Sequence, residues 1–184
     1  MTYRKRDYPL GDIRRHLETG PIVLVSAAYK GETAIMTMGW HMVMEFEPAL
    51  IGCYMWTENH SRTLAQTSKE CVINIPTVDL IDTVVKIGNS SSAEIDKFAA
   101  FGLTPVKAAK VGAPLIKECY ANFECRLYDA KLARKYSLFV WEVVKAHVAI
   151  SPKNPRTIHY RGHGEFTVAG QTISRRRLFK PEML

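Results

Sequence analysis

The sequence predicts a mainly β protein, a barrel carrying short peripheral helices, and three observations predict it. Apolar, β-branched runs recur along the chain between proline and glycine punctuation, and the helical patterns are few and short. No GxGxxG follows any strand-like run, which counts against a doubly wound sheet built around a dinucleotide. The first two features favour a barrel over alternating layers of strand and helix.

Taken in order, Ile22–Ala28 (IVLVSAA) follows a proline and is rich in β-branched residues, as a buried strand should be. Lys30-Gly31-Glu32 suits a hairpin leading into a second strand over Ala34–Met38. Pro48 opens Ala49–Met55 (ALIGCYM), and Pro76 closes Cys71–Ile75 (CVINI). Tyr120–Leu132 and Ser137–Ile150 are longer. In the latter, Phe139, Trp141, Val143 and Val148 mix with polar residues, as in a barrel strand with one wet face. Thr157–Tyr160 and Glu165–Val168 complete the strands. Helices are expected over Arg62–Ser68 with Ser61 as N-cap, and over Asp79–Ile87, where Leu80, Val84 and Ile87 share a face and Gly88 stops the turn. A third is expected over Glu94–Ala100, capped by Ser91 or Ser92.

The 184 residues, 47% hydrophobic and 23% charged, suit one domain over 1–184 with a substantial core. The net charge of +7 favours anionic partners. Its local concentrations, Arg175-Arg176-Arg177 and Tyr3-Arg4-Lys5-Arg6, read as solvated termini. No apolar stretch approaches the roughly 20 residues that span a bilayer, and the basic start MTYRKRDYPLGD has no apolar signal core behind it. A cytoplasmic protein with no membrane association is expected. Cys53, Cys71, Cys119 and Cys125 form no C-x-x-C pair and read as buried, reduced thiols. His159 and His163 read as loop residues beside glycines with no carboxylate or cysteine to complete a metal site, and no Ser-His-Asp or Cys-His pattern supports hydrolysis.

Three segments carry chemistry. Thr37-Met38-Gly39-Trp40-His41-Met42 ends a strand with a glycine among large side chains, where backbone N–H and C=O groups can meet the edge of a planar heterocycle. The bland alternative is a bend in a barrel strand with Trp40 as core. Trp56-Thr57-Glu58-Asn59-His60-Ser61-Arg62-Thr63 leads into a helix, and hydroxyls, an arginine and free N–H groups there make a phosphate site. Gly88-Asn89-Ser90-Ser91-Ser92, with Lys97 and Phe98 beyond it, is a polar loop able to wrap a phosphorylated tail, Lys97 supplying the charge. Taken singly, the second and third read more simply as an ordinary helix start and a solvent loop.

Together these stretches resemble the flavin-reductase-like, FMN-binding split-barrel family, its flavoredoxin branch in particular. The resemblance rests on PIVLVSA, TAIMTMGWHM, ALIGCYM, ENHSRT, CVINIP, KIGNSSSAEIDKFAAFGLTP and NFEC in that order, extended by VWEVVKAHV and IHYRGHGEF. It implies a six-stranded Greek-key split β-barrel, a homodimer, and FMN held without a covalent bond at the subunit interface. By position it implies that Thr37, Met38, Gly39 and Trp40 meet the flavin edge. Ser61, Arg62 and Thr63 then meet the phosphate, and Asn89, Ser90, Lys97 and Phe98 close over the cofactor. Ser90-Ser91-Ser92 stands where a GN-C-SG loop is common in that branch, so a thiol is missing. The resemblance implies an oxidoreductase taking hydride from NADH or NADPH, or else an electron carrier without nicotinamide activity; no side chain reads as a catalytic acid or base. A third reading, a basic nucleic-acid-binding barrel, needs aromatic residues interleaved with Lys and Arg. Tyr120, Phe123 and Tyr128 have few basic neighbours, so no nucleic-acid partner is expected.

Overall fold

The structure, a computed structural model, describes residues 2–181. Its strands are β1 (Lys5–Asp7), β2 (Val23–Tyr29), β3 (Glu32–Met38), β4 (His41–Glu45), β5 (Leu50–Tyr54), β6 (Glu70–Ile75), β7 (Pro105–Val106), β8 (Leu115–Ile116), β9 (Ala121–Asp129), β10 (Leu138–Ala149), β11 (Ile158–Gly162) and β12 (Glu165–Val168). The helices are α1 (Arg14–Leu17), α2 (His60–Ser68), α3 (Ile81–Gly88), α4 (Lys97–Ala100) and α5 (Ala133–Tyr136).

The main sheet runs β3-β2-β6-β9-β10-β5-β4, with β1 added to the far end of β10. All its pairs are antiparallel. The six expected strands β2, β3, β5, β6, β9 and β10 form the split barrel, and β4 and β1 extend it. β3 and β4 are the two ends of this path, yet only Gly39 and Trp40 separate them in sequence. The barrel is therefore closed by the covalent chain and not by a ladder, which leaves a seam at Gly39-Trp40.

Local sequence explains the elements. The β2–β3 hairpin turns on Lys30 (φ 48°) and Gly31 (φ 86°), a positive-φ pair whose twist matches that of the flanking strands. Strand β2 is buried along Val23–Ala27 because it has a core on each side. Inside the barrel, Val23 and Val25 pack with Ile51, Ile73, Phe123, Phe139 and Trp141. On the outer side, Leu24 and Ile35 pack with Val84 and Ile87 of α3, Phe98 of α4 and Ile158 of β11. All four cysteines are buried and free. Burial raises the Cys53, Cys71 and Cys119 thiols and keeps them protonated.

Several sequence expectations shift. Helix α2 starts two residues earlier than expected, at His60, and Asn59, not Ser61, occupies the N-cap. Helix α4 is only Lys97–Ala100, and its cap is Asp96, whose carboxylate accepts from the Phe98 and Ala99 N–H groups, so neither Ser91 nor Ser92 serves. His159 belongs to β11 rather than to a loop, while His163 sits at the hairpin turn. Lys5 is not a solvated terminal charge. Its Nζ donates to Asn122 Oδ1 (2.6 Å) and to the Lys117 carbonyl (3.1 Å), and burial lowers its pKa to about 8. No helix among the described residues is long and apolar enough to cross a membrane. Tyr120 and Phe123 are buried, so they offer no stacking platform for bases.

Candidate functional site

The seam opens into a cavity of about 740 Å³. Its wall begins with Ile22, Thr37, Met38, Gly39 and Trp40 and continues through Tyr54 and Trp56. The connection is held open by specific contacts. Thr37 Oγ1 donates to the Val84 carbonyl (2.7 Å), fixing the end of β3 to α3. The Tyr54 N–H donates to the Trp40 carbonyl (3.0 Å), and the two rings meet edge to face with centroids 5.1 Å apart. A Cβ at Gly39 would lie 3.0 Å from Ile22 Cδ1, so a side chain there would press that methyl group aside. Trp40 is 72% exposed and is not a core residue. Beside the seam, His41 Nε2 donates to the Pro21 carbonyl (2.7 Å), and burial lowers the pKa of its ring, this hydrogen bond opposing.

A small polar recess of about 120 Å³ adjoins this cavity and shares Thr37, Asn59 and Gly88 with it. The recess faces the start of α2, and Glu58, His60 and Ser61 line it. The Asn59 side chain makes no capping bond; its amide points instead at Met36 Sδ (3.6 Å). A nine-residue helix thus presents first-turn N–H groups without a side-chain cap, the usual condition for receiving an anion.

Across the recess, the loop after α3 is pinned by Lys97. Its Nζ donates to the carbonyls of Ile35 (2.9 Å), Ile87 (2.8 Å) and Ser90 (2.7 Å). Ser92 exchanges bonds with the Ile35 backbone, and Ser90 Oγ donates to the Lys86 carbonyl (2.9 Å). Burial lowers the pKa of Lys97 to about 8. Its three N–H groups are committed to the protein, so Lys97 contributes charge and loop geometry to the recess and not a free donor.

The residues singled out in the sequence divide. Thr37, Met38, Gly39, Trp40 and Asn89 line the apolar cavity, while Ser61, Ser90 and Lys97 line the recess. Phe98 is buried among Leu24, Ile35 and Ile87, beneath the site rather than facing it. Arg62 and Thr63 line neither space. The Arg62 guanidinium lies 5.5 Å from the Phe139 ring, and Thr63 is exposed. Sequence reasoning missed the β11–β12 hairpin as a wall. Tyr160 pairs with Phe166 across it, their rings 5.1 Å apart, and the Gly164 N–H donates to the Tyr160 hydroxyl (3.2 Å). The legible signal was the Gly162-His163-Gly164 turn flanked by aromatic residues.

An open antiparallel barrel with an apolar seam cavity and an adjoining polar recess defines a class of small-molecule-binding split barrels. The chain belongs to the family described as flavin reductase like domain, whose model matches residues 14–166. Among curated relatives, it is 34% identical over 110 residues to an uncharacterised protein of Archaeoglobus fulgidus, covering 60% of this chain and 62% of that one. It is 29% identical over 174 residues to YddH of Escherichia coli, covering 87% and 92%. Among solved structures, an FMN-binding domain of a flavin reductases-like enzyme from Shewanella baltica superposes with a TM-score of 0.87 at 24% identity, covering 95% of this chain and 98% of that one. Flavoredoxin of Desulfovibrio vulgaris superposes at 0.78 and 20% identity, covering 85% and 90%.

Proposed function

We propose that this protein binds FMN non-covalently across the seam and serves as a flavin-dependent oxidoreductase. The observation that carries this reading is the pairing of an apolar, aromatic-walled cavity with a polar recess at an uncapped helix start, the two sharing Thr37, Asn59 and Gly88. FMN has the same division, a planar ring at one end and a phosphate at the other. The likeness to the FMN-binding domain from Shewanella baltica supports the same reading.

In this arrangement Trp40, Tyr54 and Trp56 pack against the ring, and the Gly39-Trp40 backbone meets its edge. The first-turn N–H groups of α2 and the Ser61 hydroxyl receive the phosphate. Lys97 keeps the Gly88–Ser92 loop in place and adds positive charge. A flavin held by these residues would supply hydride and electron transfer, chemistry that belongs to the cofactor. Tyr160 and Phe166 bound the space beside the ring, where a nicotinamide or another flat donor would lie.

The same reading includes a homodimer. Strand β4 ends the sheet, and Trp40, Met42, Met44 and Phe46 lie in a row of alternate residues, each roughly half or more exposed. An edge strand with an apolar outer row is a surface to be covered. Gly52 lies beneath this row, where a Cβ would come within 2.8 Å of Met44 Sδ and displace that side chain. A second copy of the chain would bury this row beside the seam.

The test is an absorbance spectrum of purified protein, recorded anaerobically before and after NADH or NADPH. Flavin bands that bleach promptly with either nucleotide support a reductase. Bands that persist until dithionite is added point to an electron carrier fed by another protein. No flavin, and no uptake of added FMN, would overturn the reading.

A further inference from the structure

A second cavity, of about 910 Å³, lies on the other side of the β11–β12 hairpin and shares no lining residue with the seam cavity or its recess. The hairpin separates them by its pleat. The Tyr160–Phe166 pair faces the seam, while the neighbouring His159–Thr167 pair faces this second space.

Its chemistry differs from that of the seam. Arg6, Arg15 and Lys153 stand at its rim, and among the described residues no aspartate or glutamate lines it. The floor is apolar, formed by Ile75, Val148 and Ala149. One wall is aromatic: His16 lies edge to face with Tyr8 (5.1 Å between centroids) and tilted against Tyr120 (5.8 Å). Within that wall His16 Nε2 is buried with no hydrogen-bond partner. Burial, followed by the charge of Arg15, lowers the His16 pKa and leaves the ring a neutral donor or acceptor. Arg6, Tyr8 and the residues from Thr167 onward lie outside the stretch matched by the family, residues 14–166.

We propose that this cavity is a second ligand site and that it binds a small aromatic carboxylate. Three cations without a carboxylate among the lining residues select an anion. The apolar floor and the Tyr8–His16–Tyr120 wall select a flat ring. The volume lies in the range of small-molecule pockets. A fully hydrated ion such as inorganic phosphate would use the rim and waste the floor, whereas a ring bearing a carboxylate satisfies both.

The test is calorimetric titration of the purified protein with 2-naphthoate, with and without saturating FMN, beside neutral 2-naphthalenemethanol and AMP. The expected result is saturable 2-naphthoate binding at one site per chain, changed by FMN less than about twofold. Naphthalenemethanol is expected to bind at least about tenfold more weakly. The double variant Arg15→Ala/Lys153→Ala, both exposed side chains, is expected to lose about tenfold in affinity while its thermal unfolding stays unchanged. The proposal is overturned by no binding up to roughly 5 mM, by displacement with FMN, by equal affinity for the alcohol, by tighter binding of AMP, or by undiminished affinity in the double variant. Because the FMN-free titration is included, failure of FMN binding and failure of this second site read out separately.

Discussion

Two helix starts, of α2 and α4, solve the same problem in opposite ways. Helix α4 is four residues long and caps itself, with the Asp96 carboxylate 2.9 Å from the Phe98 N–H and 3.3 Å from that of Ala99. Helix α2 is nine residues long and has at its N-cap an asparagine, a residue fully able to cap, yet this side chain turns away toward Met36. A helix that declines a competent cap keeps its N–H groups and the positive end of its dipole for something else. Here that end opens on a recess that also holds the Lys97 ammonium. The short helix serves stability, because it carries Lys97 to its three carbonyls; the longer one leaves its first turn facing the recess without a side-chain cap.

The largest expected effect comes from cutting the link between the two. Lys97→Met takes a donor from each of the Ile35, Ile87 and Ser90 carbonyls, of which Ile35 and Ile87 keep weaker bonds from the Ser92 and Ser90 hydroxyls. It is expected to destabilise the fold by about 2–4 kcal/mol and to weaken FMN binding by about a hundredfold or more. Denaturant unfolding and the quenching of FMN fluorescence measure the two effects separately. Unchanged values for both would remove Lys97 from the account.

Making α2 resemble α4 comes next. Asn59→Asp puts a carboxylate at the open helix start, which is expected to raise the stability of the flavin-free protein by up to about 1 kcal/mol. The same charge faces the phosphate and is expected to weaken FMN binding by about tenfold. A variant that gains both stability and affinity would show that the recess does not receive an anion.

The converse change, Asp96→Ala, removes a working cap. An expected loss of about 1 kcal/mol in unfolding free energy, with FMN affinity altered less than about threefold, separates a structural helix end from a binding one.

A pH titration probes the charge that Lys97 contributes. Burial lowers its pKa to about 8, so the side chain is cationic below that pH and neutral above it. FMN affinity is expected to fall a few-fold, at most about tenfold, as pH rises from 7 to 9, because a cation facing the phosphate is lost. Binding titrations across this range check it, and a flat profile would mean that only the geometry of Lys97 matters. The smallest effect is that of Asn59→Ala. No capping bond exists to be lost, so stability is expected to move by no more than a few tenths of a kcal/mol, where an engaged cap would lose about 1 kcal/mol. Thermal unfolding beside Asp96→Ala provides the comparison.

Much of this arrangement was legible in the sequence. The β2–β3 hairpin followed from Lys30-Gly31 between apolar runs, because turn chemistry is local. Strands β5 and β6 followed from their proline boundaries and β-branched content, and the helix expected over Asp79–Ile87, found as Ile81–Gly88, from its apolar spacing. Strand β4 was not seen, because Met42, Met44 and Phe46 interrupt the alternation of apolar and polar residues with an outward apolar row. The cap of α4 was misplaced because Ser91, Ser92 and Asp96 are all able to cap, and the choice depends on what else they must bond. Ser92 is engaged with Ile35 on β3, which left Asp96 for the helix.

The site shows the same split. Thr37, Met38, Gly39, Trp40, Ser61, Asn89 and Ser90 were all visible as polar or glycine-bearing breaks at the ends of apolar runs, and the structure brings them to one seam and its recess. Lys97 was visible as a charge, but its role as a tie to three carbonyls was not, since one of them, Ile35, lies 62 residues away. The Tyr160–Phe166 wall was equally hidden, because among the described residues β11 and β12 form a separate two-stranded sheet, set over the seam by the Ile22 N–H donating to the Ile158 carbonyl (2.8 Å) and by packing of Ile158 against Ile22 and Leu24.

Local patterns of propensity, turn chemistry and burial are written in neighbouring residues, so the order of strands, the short helices and the chemistry-bearing breaks were present in the chain as a string. The meeting of β3 and β4 at opposite ends of one sheet, the uncapped start of α2 against Lys97, and the hairpin with a different cavity on each face depend on contacts between distant segments. Burial and hydrogen bonding select those contacts only once the whole core has formed.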